Sequence, residues 1–405
     1  MARRSTRSSG RGLPRARRLC RAGASDILAL GADPASLPFL LPKLGHVNVL
    51  VEGVKLYAAN ILKQSMLSIG GDVAVHRDVI SGKAESSTCL VMGDLRHYRL
   101  LIDKLGLQKG LEPLAEAIRR QVFPDEGPLE MSLCGRRVVF TELPVIMGIL
   151  NVTPDSFSDG GAFLGTEAAV RHALEMVEHG AEMIDVGGES TRPGAVPVDG
   201  EEEIRRVVPV IERIVKEVDV PVSVDTSKHR VARAALEAGA VMVNDVTALR
   251  NDPAMMGLVR STGCGVVLMH MRGTPSTMQS DTSYGDVVAE VYAFLDERIE
   301  ACLEAGIDPA CIAADPGIGF GKDLAGNLAL VRHISEFSSL GVPVLLGHSR
   351  KSFIGAVLDS AVDNRQDGTD AVTAWAAANG VDIVRVHDCR RAKRTRAMIR
   401  AIAGA

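Results

Sequence analysis

From Pro144 onward, the sequence repeats one pattern eight times: a short apolar run rich in β-branched residues, followed by a longer segment with helical spacing. The apolar runs are VIMGILNV, MIDVGG, PVSVDT, VMVNDV, GVVLMH, CIAADP, PVLLGHS and IVRVHD. Strands that are apolar on both faces and alternate with helices indicate a parallel sheet covered by helices. Eight such units over residues 144–405 predict an α/β fold, the closed (β/α)8 TIM barrel. An open doubly wound sheet remains the alternative, because the number of strands does not prove closure.

The residues before this repeat predict a leader and a separate module. Residues 1–25 are basic, with eight arginines among the first 21 positions and no acidic residue before Asp26. An organelle transit peptide has this composition, and so does a disordered leader or a stretch read from an upstream start codon. Residues 26–122 alternate strand-like and helix-like runs, which predicts a small α/β module of unknown role. The linker FPDEGP (123–128) and a hairpin in MSLCGRRVVFTEL lead into the barrel domain, 130–405.

Charge and composition exclude several classes of function. The chain has 405 residues, a formal net charge of −4 at pH 7 and 3% aromatic residues, which does not suit a nucleic-acid binder. No apolar run is long enough for a membrane span. Seven scattered cysteines without a C-x-x-C pair suit a reducing compartment. We therefore expect a cytoplasmic protein without nucleic-acid or membrane partners, although the leader leaves organelle import open.

Polar residues stand at the ends of nearly all the predicted strands. They include Asn151, Asp225, Asn244, Asp245, His270, Asp315, His348, His387 and Asp388. A TIM barrel builds its active site at these carboxyl ends, and a buried carboxylate is costly unless it is paired. Packing does not explain so many polar ends, so the sequence predicts a site there. For Asp245 and Asp388, capping of the next helix is an equally good interpretation.

Asp225, Asn244 and Asp315 form the first predicted cluster. Two carboxylates and an amide suit a flat heterocycle rich in N–H donors and ring nitrogens. The second cluster is cationic, with Arg192, Arg385, His387, Asn151 and the backbone of GGESTRPG. Forked arginine donors suit a diphosphate, and Asn151 could hold a bridging Mg²⁺. The structural alternative is an ion-pair ring in which these arginines bind Glu189 or Asp388.

A third cluster, Ser349, Arg350 and Lys351, opens the helix after the seventh strand and suits a carboxylate or ring carbonyl. The loop DPGIGFGKD has neither the Walker A spacing nor the G-x-G-x-x-G spacing, and we interpret it as a tight loop that places Phe320. The sequence contains no H-E-x-x-H motif, no metal-spaced cysteine and histidine set and no G-x-S-x-G elbow. Zinc and serine-hydrolase chemistry are therefore not expected.

Several of these strings together resemble the signatures of the dihydropteroate synthase family. They are MGILNVTPDSFSDGG, DVGGESTRPGA, SVDTSK, VNDV, LMHMRGTPSTMQ, DPGIGFGK, HSRKSFIG and RVHD, in the order found in that family, over residues 145–388. The resemblance implies a TIM-barrel enzyme of folate biosynthesis. Its substrates would be 6-hydroxymethyl-7,8-dihydropterin diphosphate and 4-aminobenzoate, its cofactor Mg²⁺, and its assembly a homodimer.

The resemblance also assigns roles to individual positions. The pterin-binding residues would be Asp225, Asn244, Met269, Asp315, Phe320 and Lys351. The diphosphate-binding residues would be Asn151, which also serves as the magnesium ligand, with Arg192, Arg385 and His387. The 4-aminobenzoate-binding residues would be Thr191, Pro193, Ser349 and Arg350. The catalytic residues would be Asp225, Lys351 and Arg192.

The implied mechanism is dissociative, with diphosphate leaving before the arylamine attacks. Two residues depart from the family's pattern: Ile318 and His348, where we expect changed packing near the pterin and changed affinity for 4-aminobenzoate. A pterin-dependent methyltransferase on the same barrel is the closest rival. It would need Asp225, Asn244 and Asp315 but no diphosphate site. A catalytically silent scaffold is a second rival, and it predicts that site residues have been lost.

Overall fold

The computed structural model describes residues 23–83, 85–123, 128–153, 161–190, 198–274 and 277–404, without the side chains of 161–164. The chain divides into two compact units, Met1–Asp125 and Glu126–Ala405. The boundary falls inside the segment 123–128, where proline, glycine and acidic residues predict a linker.

The first unit is an α/β module with a three-stranded antiparallel sheet in the order β1-β3-β2. Its described strands are β1 (His46–Lys55), β2 (Asp72–Ala74) and β3 (Ser86–Asp94). Its described helices are α1 (Ala24–Ala29), α2 (Leu37–Leu40), α3 (Leu56–Ile69), α4 (Asp78–Ser81), α5 (Leu95–Gly106) and α6 (Glu112–Val122). Leu62 and Met66 of α3 and Leu101 of α5 are buried in the core of this unit with Val91 of the sheet.

One strand prediction in this module is too long. The run DVAVHRDV predicts a strand over 72–79, but β2 ends at Ala74. The amide of His76 donates to Ser87 Oγ at 3.1 Å, and the chain then turns into the short helix α4. A side-chain acceptor therefore takes a donor that a longer strand would give to its neighbour.

The second unit begins with a hairpin that closes one end of the barrel. Its strands are β4 (Leu129–Leu133) and β5 (Arg136–Phe140), paired antiparallel. Leu129, Met131, Leu133 and Phe140 share one buried cluster with inward-facing barrel residues such as Met242. The predicted hairpin is confirmed, and it covers the amino-terminal ends of the barrel strands with apolar side chains.

Eight parallel strands follow and form the predicted barrel. They are β6 (Val145–Asn151), β7 (Met183–Gly187), β8 (Val222–Asp225), β9 (Met242–Asp245), β10 (Gly265–Met269), β11 (Ile312–Asp315), β12 (Leu345–Leu346) and β13 (Ile383–Val386). The hydrogen-bonded order is β11-β10-β9-β8-β7-β6-β13-β12. A parallel bridge between Ala314 and Val344 joins the two ends of this series, and the Ala314 amide donates to the Pro343 carbonyl at 2.8 Å. The sheet is therefore closed, and the open doubly wound alternative is wrong.

Helices cover the outside of the barrel. They are α7 (Gly161–Glu178), α8 (Gly200–Glu217), α9 (His229–Glu237), α10 (Pro253–Thr262), α11 (Val287–Glu304), α12 (Leu324–Arg332), α13 (Ser352–Leu358), α14 (Gln366–Ala378) and α15 (Cys389–Gly404). Asp199, Asp252 and Asp286 cap helix starts by accepting backbone amides of the first turn. The sequence predicts one helix over LAGNLALVRHISEFSSLG, but α12 ends at Arg332 and a 3₁₀ segment follows. The helix predicted to open at Ser349, Arg350 and Lys351 is α13, which begins at Ser352.

Successive side chains on each barrel strand point alternately outward to the helices and inward to the barrel interior, and the inward-facing ones form the site. Ile184, Val224 and Val243 belong to the core between barrel and helices, whereas Met183 and Met242, one residue earlier on their strands, belong to the cluster inside the barrel. The next inward-facing positions are polar: Asp185, Ser223 and Asn244, with Asp225, Asp315 and Arg385 on the same inward-facing register. The interior is thus apolar at the hairpin end and polar toward the carboxyl ends. Among the described helices, none is long and apolar enough to cross a membrane.

Candidate active site

Arg385 on β13 lies at the centre of the polar level. Its Nε atom donates to Asp185 Oδ2 at 2.6 Å, and its Nη2 atom donates to Asp225 Oδ2 at 2.7 Å. Asp185 is fully buried and Asp225 is nearly so. The sequence predicts a diphosphate ligand for Arg385, with pairing to Glu189 or Asp388 as the alternative. In the structure this arginine is paired with carboxylates, but they are Asp185 and Asp225.

Burial changes the ionisation of this group. It raises the pKa of Asp225 to about 7, while the Arg385 guanidinium acts in the opposite direction. Burial alone would lower the pKa of Arg385, but the carboxylates of Asp185 and Asp225 raise it above its ordinary value. The arginine therefore stays charged, and Asp225 titrates near neutral pH.

Asn244 on β9 joins the same network. Its Nδ2 atom donates to Asp185 Oδ2 at 2.9 Å, and its side chain is nearly fully buried. Asp185 thus accepts from two predicted site residues on two different strands. Its other oxygen, Oδ1, has no hydrogen-bond partner among the described residues.

Asp315 and Lys351 are two oppositely charged groups that lie near each other in the site. A Cβ atom built on Gly347 would lie 3.5 Å from Asp315 Oδ2 and 3.9 Å from Lys351 Nζ, so both side chains flank this glycine. Asp315 Oδ1 accepts the Gly317 amide at 2.7 Å. Burial raises the pKa of Asp315 and lowers the pKa of Lys351 to about 8, and each group's charge opposes the other's shift. Lys351 Nζ also donates to the Ile318 carbonyl.

Apolar side chains line one side of the site. Met269 at the end of β10 belongs to a small cluster with Val246, Met271 and Met278, and Phe320 packs against it. Lys351 Nζ lies 4.5 Å from the centroid of the Phe320 ring. The structure thus brings together Met269, Phe320 and Lys351, which the family resemblance assigns to one pocket.

A buried amine holds the loop that carries Phe320. Lys322 Nζ lies 2.8 Å from His270 Nδ1 and donates to the carbonyl oxygens of Gly317 at 2.8 Å and Phe320 at 2.9 Å. Burial lowers the pKa of Lys322 well below its ordinary value and lowers the pKa of His270 to about 2. His270 is predicted to end a strand but directly follows β10, and its described contacts support the loop.

The remaining predicted residues lie at neighbouring strand ends. A Cβ built on Gly187 would lie 3.8 Å from Asn151 Oδ1 and 3.6 Å from Asp225 Cβ, so Asn151 and Asp225 are neighbours across this glycine. Ser349 Oγ lies 2.9 Å from His387 Nδ1, which joins the predicted diphosphate and 4-aminobenzoate sides. Arg350 has a φ of 55°, and its amide donates to Thr369 Oγ1 at 3.1 Å.

Thr191, Arg192 and Pro193 lie outside the described residues, so their predicted roles stay predictions. The two ends of their loop are described. Glu189 Oε1 accepts the Val198 amide at 2.9 Å, and Glu189 Oε2 binds Lys228 Nζ at 2.5 Å. The entry and the exit of this loop are therefore tied together at the barrel mouth.

Several polar residues are structural. Asp388 accepts the amide of Arg391 in the first turn of α15, as the capping interpretation predicts. Asp245 accepts the amides of Thr247 and Leu249 in the turn after β9, whereas the next helix, α10, is capped by Asp252. His348 is fully buried, and its Nε2 atom lies 2.8 Å from Thr373 Oγ1 on α14. Ile318 is fully buried in the core outside the barrel. Both departures from the family pattern contact Lys351 through a backbone carbonyl: the Ile318 carbonyl accepts from Lys351 Nζ, and the His348 carbonyl accepts the Lys351 amide at 3.3 Å.

Sequence reasoning missed Asp185 and Lys322. A signal for Asp185 was present, because a carboxylate in the middle of the apolar strand MIDVG needs a buried partner. Lys322 was hidden, because a lysine after a glycine-rich loop is ordinarily exposed. In the part of the chain that the structure describes, no group of three acidic, histidine or cysteine side chains could hold a metal ion by itself.

Comparison with known proteins agrees with this geometry. Residues 147–387 match the family described as pterin binding enzyme. The dihydropteroate synthase of Bacillus subtilis is 46% identical over 263 residues, which cover 65% of this chain and 90% of that protein. The structure of Xanthomonas albilineans dihydropteroate synthase with 4-aminobenzoic acid matches with a TM-score of 0.65 and 46% identity, covering 69% of this chain and all of the other. The same enzyme in complex with 7,8-dihydropteroate matches with a TM-score of 0.61 and 45% identity, over 68% of this chain and 99% of the other.

Proposed function

The chain belongs to the family of pterin-binding enzymes, among the dihydropteroate synthases, and from this we propose that its barrel joins 6-hydroxymethyl-7,8-dihydropterin diphosphate to 4-aminobenzoate. The products are 7,8-dihydropteroate and diphosphate, so the enzyme is a transferase of folate biosynthesis. One observation carries the assignment: Asp225, Asn244 and Asp315 lie in a buried polar level inside the barrel, next to the apolar cluster that the hairpin β4–β5 closes. Such a pocket takes a flat ring that offers N–H donors.

The pterin ring is bound by acceptors on one side and by Lys351 on the other. Asp225, Asn244 and Asp315 supply carboxylate and amide oxygens for the ring and amino N–H groups. Lys351 donates toward a ring nitrogen or carbonyl oxygen, and Met269 and Phe320 supply apolar walls. Binding energy from so many directed hydrogen bonds orients the methylene carbon for reaction.

The diphosphate is held by Asn151, Arg192, Arg385 and His387. Arg385 supports this role because two carboxylates keep it charged and fix the plane of its guanidinium. Asn151 offers one neutral oxygen, and no ready-made carboxylate cage exists among the described residues. This donor set fits Mg²⁺, which keeps water and takes most of its other ligands from substrate phosphates. The ion would neutralise negative charge on the departing diphosphate.

The 4-aminobenzoate is bound by Thr191, Pro193, Ser349 and Arg350. Ser349 Oγ contacts His387 Nδ1, so this side of the site is continuous with the diphosphate side. The amine of 4-aminobenzoate can then approach the methylene carbon from beside the leaving group. Holding the amine and the methylene carbon in this relative position accelerates the reaction without a proton-transfer group.

The reaction is a substitution at the methylene carbon with dissociative character. The bond between this carbon and the diphosphate oxygen breaks, and diphosphate leaves with the electron pair. Asp225 places negative charge near the developing cation, while Arg192, Arg385 and His387 stabilise the leaving group. The arylamine nitrogen then forms the new C–N bond and loses its proton to water. The chain's contribution is electrostatic stabilisation and positioning, and Asp225, Lys351 and Arg192 carry most of it.

A second copy of the chain is the partner that the barrel helices suggest. Large apolar side chains are exposed on α13, α14 and α15: Val357 (57%), Trp375 (45%), Met398 (61%) and Ile402 (58%). Burial of such residues is favourable in proportion to their apolar area. The homodimer is tested by sedimentation of the full chain, in which Trp375→Asp should give a monomer at concentrations where the parent chain is dimeric. A parent chain that sediments as a monomer removes the proposal.

The cytoplasm is the location that fits the chain best. The described cysteines, Cys89, Cys134, Cys264, Cys302, Cys311 and Cys389, are all free thiols. Free thiols in this number suit a reducing compartment. Fractionation of the native cells tests this location, and recovery of the enzyme in an organelle would instead identify the basic leader as an import signal.

The decisive experiment measures diphosphate release by the full chain given the dihydropterin diphosphate and Mg²⁺, with and without 4-aminobenzoate. Release that depends on 4-aminobenzoate, with dihydropteroate formed in equal amount, supports the proposal. Pterin binding without dihydropteroate would contradict it. In that case, methyl transfer from methyltetrahydrofolate to a corrinoid protein should be assayed, and activity there would identify the methyltransferase alternative.

A further inference from the structure

Asp185 is a buried carboxylate beneath the predicted pterin pocket, and it is not among the residues that we assign to bind a substrate. Asp185 stands in the middle of β7, is fully buried, and is flanked along the strand by Ile184 and Val186. An unpaired carboxylate in this position would cost several kcal/mol. Among the described residues, its side-chain partners are Asn244 and Arg385, and both belong to the proposed substrate site.

The contact with Asn244 fixes which end of the amide faces the pocket. An ionised carboxylate only accepts hydrogen bonds, so the Asn244 NH₂ group must face Asp185. Nδ2 lies 2.9 Å from Asp185 Oδ2. The amide oxygen of Asn244 is consequently left for other partners as an acceptor. A ligand that offers an N–H group is accepted at this position, and one that offers a lone pair is repelled.

The contact with Arg385 fixes a second group. Arg385 donates through Nε to Asp185 and through Nη2 to Asp225, so two carboxylates on adjacent strands hold the guanidinium plane. If Asp185 were lost, Arg385 could turn about its pairing with Asp225. The same carboxylate oxygen, Asp185 Oδ2, therefore controls the donor pattern toward diphosphate and the acceptor pattern toward the ring.

We propose that Asp185 is a positioning residue that sets the hydrogen-bonding pattern of the pterin pocket through Asn244 and Arg385. The proposal rests on the assignment of these two residues to the pterin and the diphosphate. It makes the pocket selective for heterocycles that place an N–H group against Asn244 Oδ1. Among the described residues, the side-chain partners of Asp185 are Asn244 and Arg385, and neither Ser349 nor Arg350 contacts it, so we expect no effect through these two residues on 4-aminobenzoate.

Two substitutions of Asp185 separate its acceptor role from its charge. Asp185→Leu removes both the acceptor and the charge and keeps a branched side chain, and Asp185→Asn keeps one acceptor oxygen at nearly the same volume while removing the charge. We expect Asp185→Leu to raise the Kd for 6-hydroxymethyl-7,8-dihydropterin, measured by calorimetry, by about fiftyfold, and Asp185→Asn to raise it by about fivefold. The KM for dihydropterin diphosphate should rise in the same order, with the KM for 4-aminobenzoate unchanged.

Ser223→Ala is the matched control. Ser223 pairs with Asp185 in the strand register, is equally buried, and has a hydroxyl without a hydrogen-bond partner among the described residues. This variant should leave both KM values unchanged. In an Asn244→Ala background, Asp185→Asn should raise the pterin Kd by less than it does in the parent chain. Asp185 can then act on the pocket only through Arg385, because its contact with Asn244 is absent.

The outcomes separate this proposal from the proposed function. A pterin Kd within twofold of the parent value in Asp185→Asn overturns the positioning role, even if Asp185→Leu does not fold. Equal rises in the KM values of both substrates overturn it as well, because they indicate a general loss of structure. Weakened pterin binding in an enzyme that makes no dihydropteroate leaves the positioning role standing and rejects the synthase assignment.

Discussion

Lys322 Nζ lies 2.8 Å from His270 Nδ1, and the lysine side chain is only 3% exposed. The ammonium or amine can only donate in the contacts to the Gly317 and Phe320 carbonyls, and His270 is neutral because burial lowers its pKa to about 2. The pair therefore ties the end of β10 to the glycine-rich loop after β11, and this loop carries an apolar wall of the proposed pterin pocket.

Replacing this lysine should loosen the loop. Lys322→Met keeps the length of the side chain but leaves two buried carbonyl oxygens and His270 without their donor. We expect the free energy of unfolding to fall by about 3 kcal/mol and the KM for dihydropterin diphosphate to rise. Chemical denaturation and steady-state kinetics measure the two effects. Lys216→Met on the exposed face of α8 is the control and should change neither. A free energy of unfolding for Lys322→Met equal to that of the parent chain would contradict the prediction that Lys322 holds this loop.

Asp225→Asn should reduce turnover by about a thousandfold or more while the fold is kept, because it removes the negative charge that we place beside the reacting methylene carbon.

The effect of Asp225→Asn on stability depends on pH. In the folded chain the pKa of Asp225 is raised from 3.8 to about 7, so the folded state binds a proton that the unfolded state has released between these values. The parent chain therefore loses stability from this group as the pH rises from 4 to 7. The Tm of Asp225→Asn relative to the parent should rise over that range, and a constant difference would contradict the shift.

The activity should show a maximum between about pH 7 and 8. Protonation of Asp225, whose pKa is about 7, removes an acceptor on the acid side. Deprotonation of Lys351, whose pKa burial lowers to about 8, removes a cation on the alkaline side. The profile of kcat/KM for dihydropterin diphosphate tests this. An acid limb that persists unchanged in Asp225→Asn would mean that another group is responsible.

Gly317 should not tolerate any side chain. Its φ is +68°, and an added Cβ would lie 1.9 Å from the His270 carbonyl oxygen, which is backbone and cannot turn aside. Gly317→Ala should lower the free energy of unfolding by more than about 3 kcal/mol. Gly341→Ala is the matched control, because Gly341 has a φ of +73° with nothing within 4 Å of the added Cβ. It should cost only about 1 kcal/mol, and equal costs would show that the close contact is unimportant.

Removal of the metal should stop the reaction without destabilising the chain. Asn151 is the single protein ligand that we assign to Mg²⁺, and the described residues hold no preassembled cluster that the ion could stabilise. EDTA should therefore abolish dihydropteroate formation and leave the Tm of the substrate-free protein unchanged. Tighter binding of dihydropterin diphosphate with Mg²⁺ than with EDTA should accompany this result. A lower Tm in EDTA would point to a resident structural metal.

Much of the fold could be predicted because its signals are local. Apolar runs such as VSVD and IAAD match β8 and β11, and the helical segments between these two runs match α9, α10 and α11. The ends of elements were less certain where a side chain competes with backbone pairing. Ser87 Oγ takes the His76 amide and stops β2 early. Closure depended on the Ala314–Val344 bridge, which joins residues whose strands are separated by α12.

The sequence by itself determined the eight strand and helix units and the polar strand ends Asp225, Asn244 and Asp315, from which we predict a flat heterocyclic ligand. These features follow from the periodicity of apolar residues and from the cost of burying a charge, and both can be read from the order of residues along the chain. Only the tertiary structure decided that Arg385 would face Asp185 and Asp225, that Asp245 would cap a turn, and that Lys322 would be a buried tie. These partners lie far apart along the chain or compete with local ones. Which contact forms depends on strand register and barrel closure, because those fix the distance between side chains to within the length of one hydrogen bond.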